Sequence, residues 1–354
     1  MILLNPGPVN LSQRVRRALA KPDLCHRERE FFQLQSSIRE RILAVYGLPA
    51  SYAAVLITGS GTAAVEAMLT TLIPTDGKVL IIENGVYGER LTRIAKIYQI
   101  NHALLHHAWG ASIDLSALRD TLRRDGGITY MALVHHETTT GRLNSLTDIG
   151  DICGDRVCLL IDAVSSFGAE AIDFPGSNIG AAAATANKCL HGAPGVSFVV
   201  LRRELLADAP ERNLYFDLAN YCQHQDQEST PFTPSIPCFY ALEEALKELE
   251  DQGGRPARRR RYRESMALVL RGLNALGIES LLRAEESSVV LNAFRLPPGM
   301  SYDTLHDWLK KQGFVIYAGQ GSLAESIFRV SVMGEISRTE LERFLDAMRE
   351  VLRR

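Results

Sequence analysis

The 354-residue sequence lacks several features that mark particular classes of protein. No apolar run approaches the roughly 18 residues of a membrane span, and the first eight residues lack the basic and long apolar regions of a secretion signal. Thirty-nine basic residues against 41 acidic ones leave a net charge of −2, which disfavours a purely electrostatic nucleic-acid binder. We therefore expect a cytoplasmic protein that acts on small molecules, with no membrane and no nucleic acid as partner.

Cysteine is scarce, and its six residues are scattered with no C-x-x-C pair. This pattern indicates free thiols in a reducing compartment rather than a disulfide framework. The pairs at 106–107 and 135–136 are the obvious histidine clusters, but adjacent residues on a strand point to opposite faces, so no metal is expected. Six arginines fall within residues 255–263; on a helix they would spread around the circumference, which predicts a solvated face or the rim of a dimer contact.

Short apolar runs alternate with helical patterns from residue 52 onward. The runs predict buried strands at 52–58, 78–82, 130–134, 157–161, 181–185 and 196–201. Continuous apolar strands separated by helices are typical of an α/β fold with a mainly parallel sheet between helices. After about residue 235 the pattern becomes α+β, and Ser337 and Glu340 predict a capping box at the start of the last helix. We expect a large cofactor-binding domain over 12–250 and a smaller C-terminal domain over 251–354, joined by the N-terminal segment 1–11.

The first predicted strand runs directly into a glycine loop, GSGTAA at 59–64, and then into a helix. Glycines allow the tight turn, and the free N–H groups of a helix start bind anions, so a phosphate-bearing ligand is expected there. Two other interpretations stay open. The loop could be only a capped turn, or, with Glu83 ending the next strand, it could be the G-x-G-x-x-A fingerprint of an NAD(P)-dependent oxidoreductase.

Two chemically active residues follow later strands. Asp162 ends the strand at 157–161, and Lys188 follows the small-residue strand at 181–185. Ligands of open α/β sheets bind at the carboxyl ends of the strands, so the two side chains could share one crevice. A desolvated lysine suits Schiff-base chemistry, and a facing carboxylate could keep a pyridine nitrogen protonated. Together with the glycine loop they predict a pyridoxal 5'-phosphate site; taken singly, each could belong to a structural ion pair.

Longer runs resemble the class V, fold-type-I aminotransferases over nearly the whole chain. The matching runs are NPGP (5–8), ITGSGTAAVEAML (57–69), ENGVYGER (83–90), HETTTG (136–141), DAVSSFG (162–168), ANKCLHGAPG (186–195), GFVIYAG (313–319) and FRVSVMGEI (328–336). The resemblance implies a seven-stranded sheet, a PLP-dependent transaminase and a homodimer with shared active sites. Cysteine desulfurases of the same fold type need a nucleophilic cysteine on a C-terminal loop, whereas the last cysteine here is Cys238.

The resemblance also implies a role for individual residues. Lys188 would bond the cofactor and shuttle the proton, Asp162 would pair with the pyridinium nitrogen, and Arg329 would clamp the substrate anion through a two-pronged contact. The other expected cofactor contacts are Ser60, Gly61, Thr62 and Asn187 on the phosphate, Thr233 reaching the same phosphate from the second subunit, Tyr87 stacked on the ring, and Thr138 on the ring oxygen.

The resemblance implies that the donor is 2-aminoethylphosphonate and the acceptor pyruvate, which would give phosphonoacetaldehyde and alanine. Residues 23–32 depart from this pattern, because they are more similar to aminotransferases that use alanine or serine with glyoxylate or pyruvate. His26 and Arg27 in that segment are candidate substrate contacts, or they only order the dimer. The alternatives are therefore an alanine/serine–glyoxylate or –pyruvate aminotransferase and a PLP-dependent lyase acting on a modified aminophosphonate.

Overall fold

The computed structural model describes residues 1–353 of the chain. Its strands are β1 (Ile2–Leu3), β2 (Tyr52–Gly59), β3 (Lys78–Glu83), β4 (His102–His106), β5 (Ile128–Val134), β6 (His136–Glu137), β7 (Arg142–Leu143), β8 (Cys158–Asp162), β9 (Ile179–Thr185), β10 (Gly195–Arg202), β11 (Leu291–Arg295), β12 (Phe314–Val315), β13 (Tyr317–Ala318) and β14 (Ile327–Ser331). Its α-helices are α1 (Gln13–Ala18), α2 (Arg29–Ala44), α3 (Gly61–Leu72), α4 (Val86–Ile97), α5 (Leu115–Arg124), α6 (Leu146–Cys153), α7 (Leu218–Asp226), α8 (Ile236–Asp251), α9 (Gly254–Asn274), α10 (Tyr302–Lys311) and α11 (Arg338–Val351).

A seven-stranded sheet in the order β2-β10-β9-β8-β5-β3-β4 organises the larger part of the chain. Only β10 runs against its neighbours, so the sheet is mainly parallel, as predicted. All six predicted strands are present. The seventh, β4, was not predicted from its own residues because it lies at the edge of the sheet, where the sequence HALLH mixes polar and apolar side chains instead of forming a continuous apolar run.

Helices cover both faces of this sheet, which is why its inner strands are apolar throughout. One buried cluster combines Leu56 and alternate strand residues with α2, α5, α6 and α8, and the other combines Ile57 and the intervening residues with α3, α4 and α7. Successive strand side chains point to opposite faces, so every strand of the sheet except β4 contributes to both clusters. The two clusters hold the sheet between the helices, and the carboxyl ends of its parallel strands are left to form a binding site.

The C-terminal residues form a second, smaller packing unit. The antiparallel sheet β11-β14-β13 packs with α9, α10 and α11 around a third buried cluster, and β1 joins it through parallel pairing with β12. The capping box predicted at Ser337 and Glu340 is present at the start of α11. Helix α8 ends at Asp251 and α9 begins at Gly254; the domain limits given above remain a prediction.

The arginine-rich helix α9 differs from the expected solvated face. Arg258 is only 2% exposed and donates to the backbone oxygen of Cys189, 2.8 Å away. Arg259 pairs with the buried Glu170 at 3.2 Å, and Arg261 donates to the backbone oxygen of Gly334. The expectation of a solvated face was wrong for Arg258, because it packs against the turn that follows Lys188 and donates to a backbone carbonyl there. Arg259 and Arg261 each keep a side chain that is 31% exposed. Among residues 1–353, no helix combines the length and hydrophobicity needed to cross a membrane.

Candidate active site

The carboxyl ends of neighbouring strands bring the predicted cofactor residues together. Strands β8 and β9 are adjacent and parallel, so Asp162 at the end of β8 lies beside the turn that carries Lys188 after β9. Gly61, the first residue of α3 after β2, is packed so closely that a Cβ placed there would lie 2.8 Å from the Val164 side chain. The glycine loop, the aspartate and the lysine therefore form one crevice, as the sequence predicted.

The Lys188 side chain is held beneath the N-terminal segment. Its amino group donates to the backbone oxygen of Pro6, and a Cβ on Gly7 would lie 2.8 Å from Nζ. Gly7 has a φ of +120°, which side-chain-bearing residues rarely adopt, so glycine is required there on two grounds. Burial lowers the pKa of Lys188 to about 8, against the opposing attraction of Asp162. Near neutral pH a lysine of this kind has a larger neutral, nucleophilic fraction than an ordinary lysine.

Asp162 is a buried carboxylate, 5% exposed, at the other side of the crevice. Its Oδ1 accepts from the backbone N–H of Val164 at 3.0 Å, which fixes the direction of the carboxyl group. Burial raises its pKa, while the Val164 N–H and the charges of Arg90 and Lys188 oppose that rise. A protonated ring nitrogen placed against it would supply the positive charge that the buried carboxylate needs.

The residues expected at the phosphate lie around the start of α3. Ser60 occupies the N-cap position without a side-chain capping bond inside the described chain, so its hydroxyl is free to bind a ligand together with the first N–H groups of the helix. The Oγ1 atom of Thr62 accepts from Arg90 Nη1 at 2.7 Å. Asn187 Oδ1 accepts from Thr185 at 2.8 Å, which turns its amide N–H₂ away from that partner. These groups form a cradle of donors, which suits a phosphate.

Thr233 stands apart from these groups. It is exposed, on the segment that leads into α8, where the backbone N–H of Ser235 donates to Thr58 Oγ1 at 3.0 Å. Its expected contact with the phosphate of a second subunit stays a prediction.

Arg329 is fully buried and makes a specific set of contacts. Nε donates to the Ala318 backbone oxygen and Nη1 to that of Thr138, each at 2.8 Å, and Nη1 also contacts Gln320 Oε1 at 3.3 Å. Nη2 has no hydrogen-bond partner among residues 1–353. Nη2 is the donor left for an anion, but it is buried, so an anion would have to displace the groups that cover it. The two-pronged contact expected from the sequence would also require Nη1 to leave Gln320.

Tyr87, expected at the cofactor ring, is held by a carboxylate that the sequence analysis did not single out, and Thr138, also expected there, is the next residue after it. Glu137 is fully buried, and its Oε2 accepts from the backbone N–H of Tyr87 and of Gly88, each at 3.2 Å. Its Oε1 accepts from the Thr139 hydroxyl at 2.6 Å. Burial raises its pKa to about 7, although these donors favour the charged form. Glu137 thus fixes the start of α4, on which Tyr87 stands.

His26 and Arg27 are not brought into hydrogen-bond contact with this crevice within the described chain. Arg27 is exposed, and its Nη1 donates to the backbone oxygen of Thr230 at 2.8 Å. The segment that holds Thr233 and the segment that holds Arg27 are therefore neighbours. Their predicted roles toward a substrate stay predictions.

The structure adds five residues to the sequence-based site: Pro6, Gly7, Arg90, Glu137 and Gln320. The first four lie inside runs that already carried the family resemblance, NPGP, ENGVYGER and HETTTG. Those runs could have indicated that the residues matter, but their partners are distant in the chain. Gln320 follows the run GFVIYAG and carried no signal of its own.

Several observations show that the crevice fits pyridoxal phosphate. Lys188 faces Asp162, a helix start offers free donors, and the buried Arg329 keeps one nitrogen without a protein partner. A dinucleotide fits poorly, because β2 lies at the edge of the sheet and four strands separate it from β3, whose Glu83 is bonded to His106 at 3.0 Å. In a dinucleotide fold the strand carrying the acidic residue lies directly beside the strand of the glycine loop.

Comparison with known proteins agrees with this geometry. The family model described as aminotransferase class-V matches residues 12–344. A 2-aminoethylphosphonate–pyruvate transaminase of Syntrophobacter fumaroxidans is 37% identical, with 100% of this chain and 96% of that protein covered. Among solved structures, an aspartate aminotransferase from Thermus thermophilus superposes with a TM-score of 0.91 at 27% identity, covering 100% of this chain and 99% of that one. An alanine–glyoxylate aminotransferase from Nostoc sp. gives a TM-score of 0.91 at 25% identity over 99% and 95% of the two chains.

These matches contradict the oxidoreductase alternative, since they cover the whole chain and all of the named proteins are aminotransferases. From the strand ends, the buried lysine and aspartate, and these similarities, we conclude that the chain belongs to the class V aminotransferases, which use pyridoxal 5'-phosphate.

Proposed function

We propose that this aminotransferase moves an amino group from 2-aminoethylphosphonate to pyruvate. The observation that carries the proposal is the 37% identity over the full length to transaminases of that name. Both substrates are anions, and the buried Arg329 offers Nη2 to an anion in the crevice. The products would be phosphonoacetaldehyde and alanine.

The residues of the crevice divide the work between them. The bound cofactor supplies an electron sink for the carbanion that forms when the substrate loses a proton. Lys188 binds the cofactor and, with a pKa of about 8, accepts and returns the substrate proton. Asp162 keeps the ring nitrogen protonated, Arg329 orients the substrate anion, and Pro6 and Gly7 cover the lysine and limit access of water.

A donor panel with pyruvate as acceptor tests the substrate. We expect alanine to form fastest with 2-aminoethylphosphonate, and more slowly with alanine analogues, serine and taurine. Rapid turnover of serine or alanine with glyoxylate, and none of the phosphonate, would replace the proposal with the amino-acid alternative. Release of more than one equivalent of ammonia per active site from the 1-hydroxy analogue, without any acceptor, would indicate a lyase.

One structural observation favours the alanine/serine alternative, because it leaves part of the charge of the phosphonate without a partner. A phosphonate dianion carries more charge than one guanidinium can match, and Arg329 is the arginine whose Nη2 is left for a ligand. The phosphonate therefore needs a second positive charge. We propose that Arg27, with His26 beside it, supplies the second charge from a neighbouring subunit. The variant Arg27→Gln should then raise KM for 2-aminoethylphosphonate and leave KM for pyruvate unchanged.

We also propose a homodimer whose subunits complete each other's sites. Thr233 is exposed, and the segment around it presents Leu214, which is 78% exposed, and Tyr215 stacked on Phe232. Exposed apolar side chains of this size commonly mark a contact between proteins.

Subunit mixing tests the sharing of sites. Lys188→Ala and Thr233→Arg each inactivate the protein when alone. In a mixed dimer, the Thr233→Arg subunit keeps its lysine and would receive an intact Thr233 from its partner, so activity should reappear on mixing. If Thr233 served its own chain, the mixture would stay inactive.

A further inference from the structure

Arg90 connects two parts of the crevice, the start of α3 and the Tyr87 ring on α4, and it has no assigned role so far. It stands on α4, one turn after Tyr87, and its guanidinium carbon lies 4.5 Å from the centre of the Tyr87 ring. Its Nη1 donates to Thr62 Oγ1 at 2.7 Å, on the first turn of α3. Arg90 is half-buried, and its positive charge acts on both Asp162 and Lys188.

The chemistry of arginine fixes the direction of the bond to Thr62. A guanidinium has five donors and no acceptor, so the oxygen of Thr62 must accept. The hydroxyl hydrogen of Thr62 then has to point at some other acceptor. Thr62 lies beside the free N–H groups at the start of α3, where an anion is the natural acceptor. Arg90 therefore prepares the Thr62 hydroxyl to donate.

The charge of a phosphate also points to a role for Arg90 at the start of α3. The start of a helix offers roughly half a positive charge, which is less than a phosphate ester requires. Ser60 and Thr62 are neutral, and Lys188 is committed to the other end of the cofactor. A guanidinium held by Thr62 adds a full charge beside the cradle without moving.

We propose that Arg90 is a positioning residue for the cofactor phosphate: it orients the Thr62 hydroxyl and supplies the charge that makes the start of α3 selective for a phosphate ester. This inference rests on the proposed placement of the phosphate at residues 60–62. The competing explanation is that Arg90 only braces the Tyr87 ring through the cation–π contact.

Pyridoxal, which has the same ring and aldehyde but no phosphate, separates the two explanations. The experiment uses cofactor-free protein and measures the Kd of pyridoxal phosphate and of pyridoxal from the visible absorption of the lysine-bound form. Arg90→Met keeps an unbranched apolar stem and removes the charge and the donors of the side chain. Arg93→Met, an exposed arginine on the same helix, is the matched control.

We expect Arg90→Met to weaken binding of pyridoxal phosphate by about 10- to 100-fold, in keeping with the loss of a charged hydrogen bond. Pyridoxal should bind as in the wild type, and Arg93→Met should change neither Kd. Equal weakening for both compounds would assign Arg90 to the ring and overturn the proposal, as would no change in either. If wild-type protein failed to bind pyridoxal phosphate at Lys188 at all, the proposed function itself would be refuted, rather than the role of Arg90.

A second variant covers the case in which Arg90→Met does not fold. Thr62→Val removes the hydroxyl that Arg90 orients, while the isosteric side chain preserves the helix start. It should show the same selective loss for pyridoxal phosphate over pyridoxal. In addition, inorganic phosphate should raise the Tm of the cofactor-free wild type more than that of Thr62→Val; an equal rise in both would contradict the role of this hydroxyl.

Discussion

Lys188 is expected to destabilise the cofactor-free protein. Burial moves its pKa from 10.5 to about 8, so Lys188 binds its proton less tightly in the folded chain than in the unfolded chain. A difference of that size corresponds to about 3 kcal/mol at pH values below 8. Replacement by methionine, which has a similar length and no charge, removes this cost. It also removes the hydrogen bond to the Pro6 oxygen, worth about 1 kcal/mol.

Cofactor-free Lys188→Met should therefore be more stable than the cofactor-free wild type by about 2 kcal/mol at pH 7. The sign of the pH dependence follows from proton binding. Between pH 8 and 10.5 the unfolded lysine keeps its proton while the folded one has lost it, so wild-type stability rises with pH relative to the variant. The advantage of methionine should shrink across that window and disappear near its upper end.

Urea unfolding of both cofactor-free proteins at matched concentration, at several pH values from 7 to 10.5, measures the difference. Other titrating groups are common to both proteins and cancel in the comparison. Lys96→Met, at an exposed position of α4, controls for the loss of a lysine as such and should change stability little. A Lys188→Met protein that is less stable than the wild type at pH 7, or a difference that does not vary with pH, would refute the reasoning.

Three other substitutions test the rest of the crevice. Asp162→Asn should retain the cofactor but lower kcat by at least about 100-fold, because a neutral amide cannot hold the ring nitrogen protonated; near-normal turnover would contradict that role. Arg329→Lys should raise KM for pyruvate about 10-fold or more, since a lysine cannot bond Ala318, Thr138 and the substrate together; an unchanged KM would locate the anion elsewhere. Gly7→Ala should lower the free energy of unfolding by about 1–3 kcal/mol and slow attachment of the cofactor, because the added Cβ meets Lys188 and φ is +120°; wild-type attachment rates, followed by absorbance, would argue against a close cover.

The prediction of the sheet from sequence succeeded where both faces of a strand are buried. The residues of β9, IGAAAAT, are all buried, and a strand of this kind has to be apolar throughout. Strand β4 was not predicted because only one of its faces packs against a buried cluster, whereas Leu104 on the other face is 45% exposed. The prediction of a solvated face was wrong for Arg258 of α9 because the sequence shows its charge but not its partner. That partner is the Cys189 carbonyl, 69 positions away in the chain.

The identity of the chemistry could be deduced from the chain alone, since Lys188, Asp162 and the loop at 59–64 each follow a strand, and the ends of parallel strands meet at one edge. The surroundings of those groups required the folded molecule. The contact of Lys188 with Pro6 spans 182 residues, and that of Arg329 with Thr138 spans 191. Order along the chain records which groups are present and on which element each lies. Desolvation and hydrogen-bond partners depend instead on how distant elements pack, and these lower the pKa of the lysine and leave one nitrogen of Arg329 without a hydrogen-bond partner among residues 1–353.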